Sequence, residues 1–122
     1  MIQEELTDRI IACAIAVHET LGPGLLESPY HSALCLELHS RGIRFERERQ
    51  VAVLYRGVAI GEYRPDLIVE SLVVVELKSA LRYDPVFAAQ ILTYLRVTGL
   101  KVGLLLNFGR PTLRDGLKRF VL

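Results

Sequence analysis

Asp66, Glu76 and Lys78 place two carboxylates and an ammonium at the ends of segments that are otherwise apolar. Leu72-Val73-Val74-Val75 reads as a strand apolar on both faces, the pattern of a strand at the centre of a sheet. Charged side chains are rarely buried in such a place unless they are paired or bind a metal. Side chains at i and i+2 share a face of a strand, so Glu76 and Lys78 project together while Leu77 points away. Asp66 opens the preceding apolar segment Leu67-Ile68-Val69, directly after Pro65. A hairpin through Glu70-Ser71 would return Asp66 to the side of Glu76. Two converging carboxylates beside a lysine suit a hard divalent cation and a phosphate.

Register tests this idea. Residues directly opposite in an antiparallel pair point to the same face. With only Glu70 and Ser71 in the loop, Asp66 would oppose Val75, and the two carboxylates would lie on opposite faces. A three-residue loop centred on Ser71 pairs Asp66 with Glu76, as would a bulge near Pro65-Asp66. An odd loop or a bulge is therefore predicted. The competing reading is an ordinary ion pair at the sheet rim, Glu76 with Lys78 or Arg64.

The elements that must hold these residues fit in 122 residues, expected to form one domain spanning 1–122. The net charge of +1 excludes a protein that grips nucleic acid by bulk electrostatics; any basic surface has to be local. Cys13 and Cys35 match no metal-ligand spacing and fall in apolar helical patterns, which points to reduced, buried thiols and a cytoplasmic setting. The acidic start, Met1 to Glu5, is unlike a signal peptide, and no apolar run approaches a membrane span.

Leu6, Ile10, Ile11, Ala14, Ile15 and Val17 recur at helical spacing, with Thr7 or Asp8 as the cap and Gly22-Pro23-Gly24 as the stop. A second helix is predicted from about Leu26 to Ser40, with Leu34, Leu36 and Leu38 inward. A β-meander follows: Phe45 to Leu54, then Ala59 to Tyr63 continuing through Pro65 into Val69, then Leu72 to Ser79. Asp84-Pro85 opens a helix that Gly99 stops. The apolar run from Lys101 to Asn107 is read as a buried strand parallel to the third one, and Leu117 to Leu122 as a strand covering an edge. The fold class is α/β, a mixed central sheet flanked by helices, whose strand ends gather Glu76, Lys78 and Asn107.

Further polar residues stand out. Glu27, near the start of the second helix, either serves chemistry or interacts favourably with the helix dipole, and Tyr30 could orient it by hydrogen bonding. Gln90 and Tyr94 lie one turn apart in an apolar helix; they either face the polar end of the sheet or form the solvated face, and the local pattern alone leans to the latter. His18, His31 and His39 form no ligand cluster; His18, nearest the glycine turn, could line the site, but is expected rather at the surface or as a cap.

Taken together, Gly24-Leu25-Leu26-Glu27-Ser28-Pro29-Tyr30 resembles the signature of the GxxExxY proteins, small members of the PD-(D/E)XK nuclease superfamily. Pro65-Asp66, Glu76-Leu77-Lys78, Gln90 to Leu95, and Asn107-Phe108-Gly109 resemble that family's later blocks in order, so the likeness covers nearly the whole chain. The resemblance implies a restriction-endonuclease-like core and a metal-dependent nuclease acting on DNA or RNA. It implies Asp66 and Glu76 as ligands of Mg²⁺, with Mn²⁺ as a substitute. The Leu77 backbone carbonyl would help, and Glu27 would bind directly, through water or at a second metal. Lys78 would be the catalytic lysine and Gln90 the accessory polar residue, and the products would carry a 5′-phosphate and a 3′-hydroxyl. The alternative is a non-catalytic nucleic-acid-binding or nuclease-subunit module of the same fold.

Nucleic acid needs cations. Arg41, Arg44, Arg47 and Arg49 interleave with Glu46 and Glu48, which suggests a salt-bridged strand. Arg82, four residues beyond Lys78, is the better candidate; Arg110, Arg114, Lys118 and Arg119 cluster near the end. No base-reading element is evident, so weak sequence preference is expected. Dimerisation would let one site cut each strand of a duplex, and a protein partner could supply affinity.

Overall fold

The computed structural model describes residues 2–122. Helices α1 (Glu4–Leu21) and α2 (Glu27–Ser40) come first, followed by strands β1 (Phe45–Arg47), β2 (Val51–Tyr55), β3 (Val58–Tyr63), β4 (Leu67–Val69) and β5 (Val73–Lys78). Helix α3 (Pro85–Thr98), strand β6 (Val102–Asn107), the short α4 (Leu113–Gly116) and strand β7 (Leu117–Val121) complete the chain. The main sheet runs β1-β4-β5-β6-β7, with β5 and β6 parallel and its other pairs antiparallel. This is the expected mixed α/β sheet, consistent with a restriction-endonuclease-like fold.

The alternation of β5 divides the core. Val73, Val75 and Leu77 face α1 and α2, packing with Ile10, Ala14, Leu34, Leu38 and Phe108. Val74 faces α3 with Ile91, Tyr94, Leu95 and Leu105. Glu76 and Lys78 continue the Val74 row, so both project on the α3 side. Helix α3 approaches the sheet closely over Gly103, where a Cβ would lie 2.7 Å from Ile91 Cγ2. Burying each of these Val and Leu side chains stabilises the fold by about 1.5–3 kcal/mol. Four such residues in β5 are enough to offset one buried polar neighbour.

Asp84 caps α3, its carboxylate accepting from Val86 N–H at 2.9 Å, and Gly99 ends it at φ 75°. The first helix differs from expectation: it starts at Glu4 without a side-chain cap, and the Thr7 hydroxyl instead donates to Glu4 C=O at 3.0 Å. Leu34 and Leu38 are buried as predicted, but Leu36 is 72 % exposed, because only positions four apart share the sheet-facing stripe. Cys13 is buried and Cys35 half-buried; both are free, and burial pushes both thiols up.

The predicted meander is corrected most. Phe45 to Leu54 is not one strand: Glu48 takes φ 51° and breaks it. β1 pairs with β4, whereas β2 and β3 form a separate two-stranded hairpin. The Glu48 amide donates to Asp66 C=O at 3.0 Å, so the break is fastened to the residue that opens β4. The hairpin carries Tyr63 to the α3 face, where its ring meets Tyr94 edge-on at 5.6 Å.

Candidate active site

The loop between β4 and β5 has the odd length that register demanded. Leu67 opposes Val75, Ile68 opposes Val74 and Val69 opposes Val73, leaving Glu70, Ser71 and Leu72 as the connection. Glu70 and Ser71 both adopt positive φ, 52° and 57°, and the Leu72 amide closes the turn onto Val69 C=O at 2.9 Å. Arg44 locks the turn in place: its amide, Nε and Nη2 all donate to the Glu70 carboxylate at 2.9–3.1 Å. Those bonds hold the Glu70 carboxyl below its usual range.

One step beyond Leu67 and Val75, Asp66 and Glu76 come together. Glu76 Oε1 accepts from the Asp66 amide, and Asp66 Oδ2 accepts from the Leu77 amide, each at 2.8 Å. Each carboxylate thus commits one oxygen to the other residue's strand. The Leu77 amide points at Asp66, and its carbonyl leaves the strand on the same edge. Glu76 is only 3 % exposed. Burial, and then the neighbouring Asp66 carboxylate, push its carboxyl up to about 9. No ion pair among the described residues reaches either carboxylate: Arg64 pairs with Glu62 at 3.2 Å, and Lys78 is directed elsewhere. The rim ion-pair reading fails on that arrangement.

Lys78 holds its ammonium 5.1 Å above the Phe87 ring, at the side of a groove of about 420 Å³ lined also by Tyr63, Gln90, Thr93 and Tyr94. Gln90 and Tyr94 therefore face the sheet, correcting the lean toward a solvated helix face. Gln90 Nε2 donates to the Tyr94 hydroxyl at 3.0 Å. Burial first, and then the charge of Glu76, push the Tyr94 phenol up, which places it within the electrostatic reach of the carboxylate pair.

Glu27 is the exception. It opens α2 from the opposite layer and is exposed. No group of three or more His, Cys, Asp or Glu side chains close enough to share a metal is found among the described residues. What ties Glu27 to the site is the loop before it: Ser79, next to Lys78, donates its hydroxyl to Leu25 C=O at 2.5 Å. Tyr30 shapes that loop rather than Glu27. Its hydroxyl donates to Gly22 C=O at 2.5 Å and accepts from the Leu25 amide at 3.1 Å, while its ring stacks on Phe108 at 4.6 Å. Tyr30→Phe removes both bonds and leaves the ring. It is expected to cost about 1–3 kcal/mol, read as a lower urea midpoint with an unchanged m-value.

Asn107 organises the other rim. Its Oδ1 accepts from the amides of Ala80 and Gly109 at 2.9 and 3.0 Å, joining the loops that leave β5 and β6. Gly109 has no room for a side chain, since a Cβ would lie 2.5 Å from Ala80 C=O. His18 is neither surface nor cap: it is buried, stacks on Phe108 at 6.2 Å and bonds Arg110 C=O through Nε2 at 3.0 Å. Arg41 and Arg49 pair with Glu37 and Glu46. Arg82 instead lines a small cleft beside the site with Tyr83, Asn107, Arg110, Asp115 and Lys118. Sequence reasoning missed Tyr63, Tyr83 and Phe87; aromatic residues flanking a charged strand end were the available signal.

The donors at Asp66, Glu76 and the Leu77 carbonyl are all hard oxygens, a set that suits Mg²⁺ or Mn²⁺ with water completing the shell. No helix among the described residues is long and apolar enough to cross a membrane. Comparison with curated proteins and with solved structures finds no match. A family model described as the PD-(D/E)XK nuclease superfamily matches residues 4–120. The chain belongs to the PD-(D/E)XK nuclease superfamily.

Proposed function

We propose that this protein is a divalent-cation-dependent nuclease that hydrolyses phosphodiester bonds in DNA or RNA. The observation that carries this reading is the Asp66–Glu76 pair, a half-buried and a buried carboxylate side by side that no ion pair reaches among the described residues. Asp66, Glu76 and the Leu77 carbonyl would hold Mg²⁺, or Mn²⁺ in its place. A bound divalent cation lowers the pKa of a water and offsets charge on the phosphoryl group. Lys78, on the Glu76 face, neutralises the phosphate and orients the attacking water. Tyr94, whose hydroxyl already accepts from Gln90, can donate its own proton to a phosphate oxygen. Glu27 acts from the lip of the site, through water, held near the strand end by the Leu25–Ser79 bond. The Gly24–Tyr30 motif supports a place among the GxxExxY proteins, with Tyr30 as the clamp of the loop that presents Glu27.

The test is cleavage of labelled single- and double-stranded DNA and RNA with Mg²⁺ or Mn²⁺. Lys78→Ala should slow cutting by about 10²–10³-fold, and chelator should stop it. Folded wild type that cuts nothing with either ion would overturn the nuclease reading in favour of a binding module.

A further inference from the structure

Two aromatic rings lie between two cations along the α3 face, in a row that begins beside the carboxylate pair. Lys78 sits 5.1 Å over the Phe87 ring, Phe87 meets Tyr83 edge-on at 6.1 Å, and Lys118 sits 3.8 Å over Tyr83. The strand register explains why this row is continuous. Glu76 lies beside Leu105, and Leu105 lies beside Lys118, so all three project on one face across β5, β6 and β7. Two strand spacings separate Glu76 from Lys118, about 10 Å. Between them lies the cleft of about 170 Å³ lined by Arg82, Arg110 and Lys118, with Asp115 as its one carboxylate.

Arg110 Nη1 donates to Leu81 C=O at 2.7 Å, but no ion pair among the described residues occupies Arg82, Arg110 or Lys118. Tyr83 is 41 % exposed and Lys118 is exposed, whereas the cations at the far edge of the sheet, Arg44 and Arg49, are paired with acids. Three cations facing one acid attract an anion. The cleft has room for a sugar-phosphate unit but not for a double helix. An exposed aromatic ring beside phosphate-binding cations stacks unpaired bases of any identity, because every base has a π-face. A duplex keeps its bases stacked inside and would offer the row only phosphates.

We propose that this row is a binding track for unpaired, single-stranded nucleic acid, in which Arg82, Arg110 and Lys118 hold the backbone next to the cleaved phosphate and the face of Tyr83 that Lys118 does not cover stacks its base. The track thereby names the substrate class of the nuclease reading above, on which it rests. It reads no sequence.

The experiment is fluorescence anisotropy in chelator, where cutting cannot interfere. The probes are labelled oligothymidylate, oligouridylate and a blunt DNA duplex of equal length. Both single strands should bind more tightly than the duplex; their ratio tells DNA from RNA preference. Tyr83→Ala should weaken single-strand binding about tenfold, while Tyr83→Phe preserves it. Lys118→Ala should make the plot of log affinity against log salt shallower by about 0.7. Lys101→Ala, just before the opposite end of β6, should change neither quantity. Duplex binding as tight as single-strand binding would overturn the proposal. So would a Tyr83→Ala protein that binds like wild type, or Lys118→Ala matching Lys101→Ala. Binding in the expected pattern by protein that never cuts with Mg²⁺ or Mn²⁺ supports the track and removes the nuclease reading instead.

Discussion

Glu76→Gln is expected to lower metal-dependent cleavage by at least about 10²–10³-fold while leaving the fold intact. The reason lies in how Glu76 is bonded. Its Oε1 accepts from the Asp66 amide, and its carboxyl, pushed up to about 9, carries a proton near neutral pH in the metal-free protein. A Gln side chain has the same shape as that protonated acid. Its oxygen keeps the bond to the Asp66 amide, and its NH₂ replaces the proton facing the Asp66 carboxylate. What it cannot do is become an anion for a cation to bind. The melting temperature near neutral pH should stay within about 5 °C of wild type, corresponding to less than about 1 kcal/mol. Glu76→Ala makes the contrast: it leaves the Asp66 amide without its partner and should cost about 1–3 kcal/mol. Cleavage by both variants together with scanning calorimetry separates lost chemistry from lost fold. A Glu76→Gln protein that cuts at close to the wild-type rate would remove Glu76 from the metal site.

The placement of these carboxylates could be read from sequence because strand parity is a hard constraint. Once Asp66 and Glu76 had to share a face, the loop had to hold an odd number of residues, and Glu70, Ser71 and Leu72 supply it. Buried strands β5 and β6 were equally legible from their unbroken apolar runs, and α3 from Asp84, Pro85 and Gly99. The break inside Phe45 to Leu54 was not. It depends on Glu48 at positive φ, a conformation that glycine or asparagine would have signalled and glutamate does not. A tertiary bond, from the Glu48 amide to Asp66 C=O, holds it there. Gln90 and Tyr94 were ambiguous for a different reason: helical spacing shows that they share a face but not which face meets the sheet. Tyr30 stood out in the sequence, but its role did not, since its hydroxyl bonds backbone groups eight and five residues earlier. Glu27 remains apart from the pair because the α2 layer lies across the sheet from the α3 face.

Metal-free protein should lose stability as pH rises, and divalent cations should restore it most strongly on the alkaline side. Glu76 is an acid whose folded-state pKa, about 9, lies above its ordinary value of 4.5. Between those values the native state keeps a proton that the unfolded chain has released. The stabilising contribution of this group is therefore fully present below about pH 4.5 and is lost as the pH rises through about 9. Burial is the main cause and the Asp66 carboxylate the next; Lys78 opposes them weakly. Glu76→Gln, which has nothing to titrate, should lack this part of the decline. A divalent cation held by Asp66 and Glu76 would replace the proton and so release it, and apparent affinity should rise by up to about tenfold per pH unit below pH 9. The increase in melting temperature at a fixed Mg²⁺ concentration should then be larger at about pH 8 than at about pH 6. Calorimetric titration in buffers of different ionisation enthalpy measures the released proton directly. Equal Mg²⁺ stabilisation at both pH values, with no proton released, would place the cation somewhere other than on Glu76.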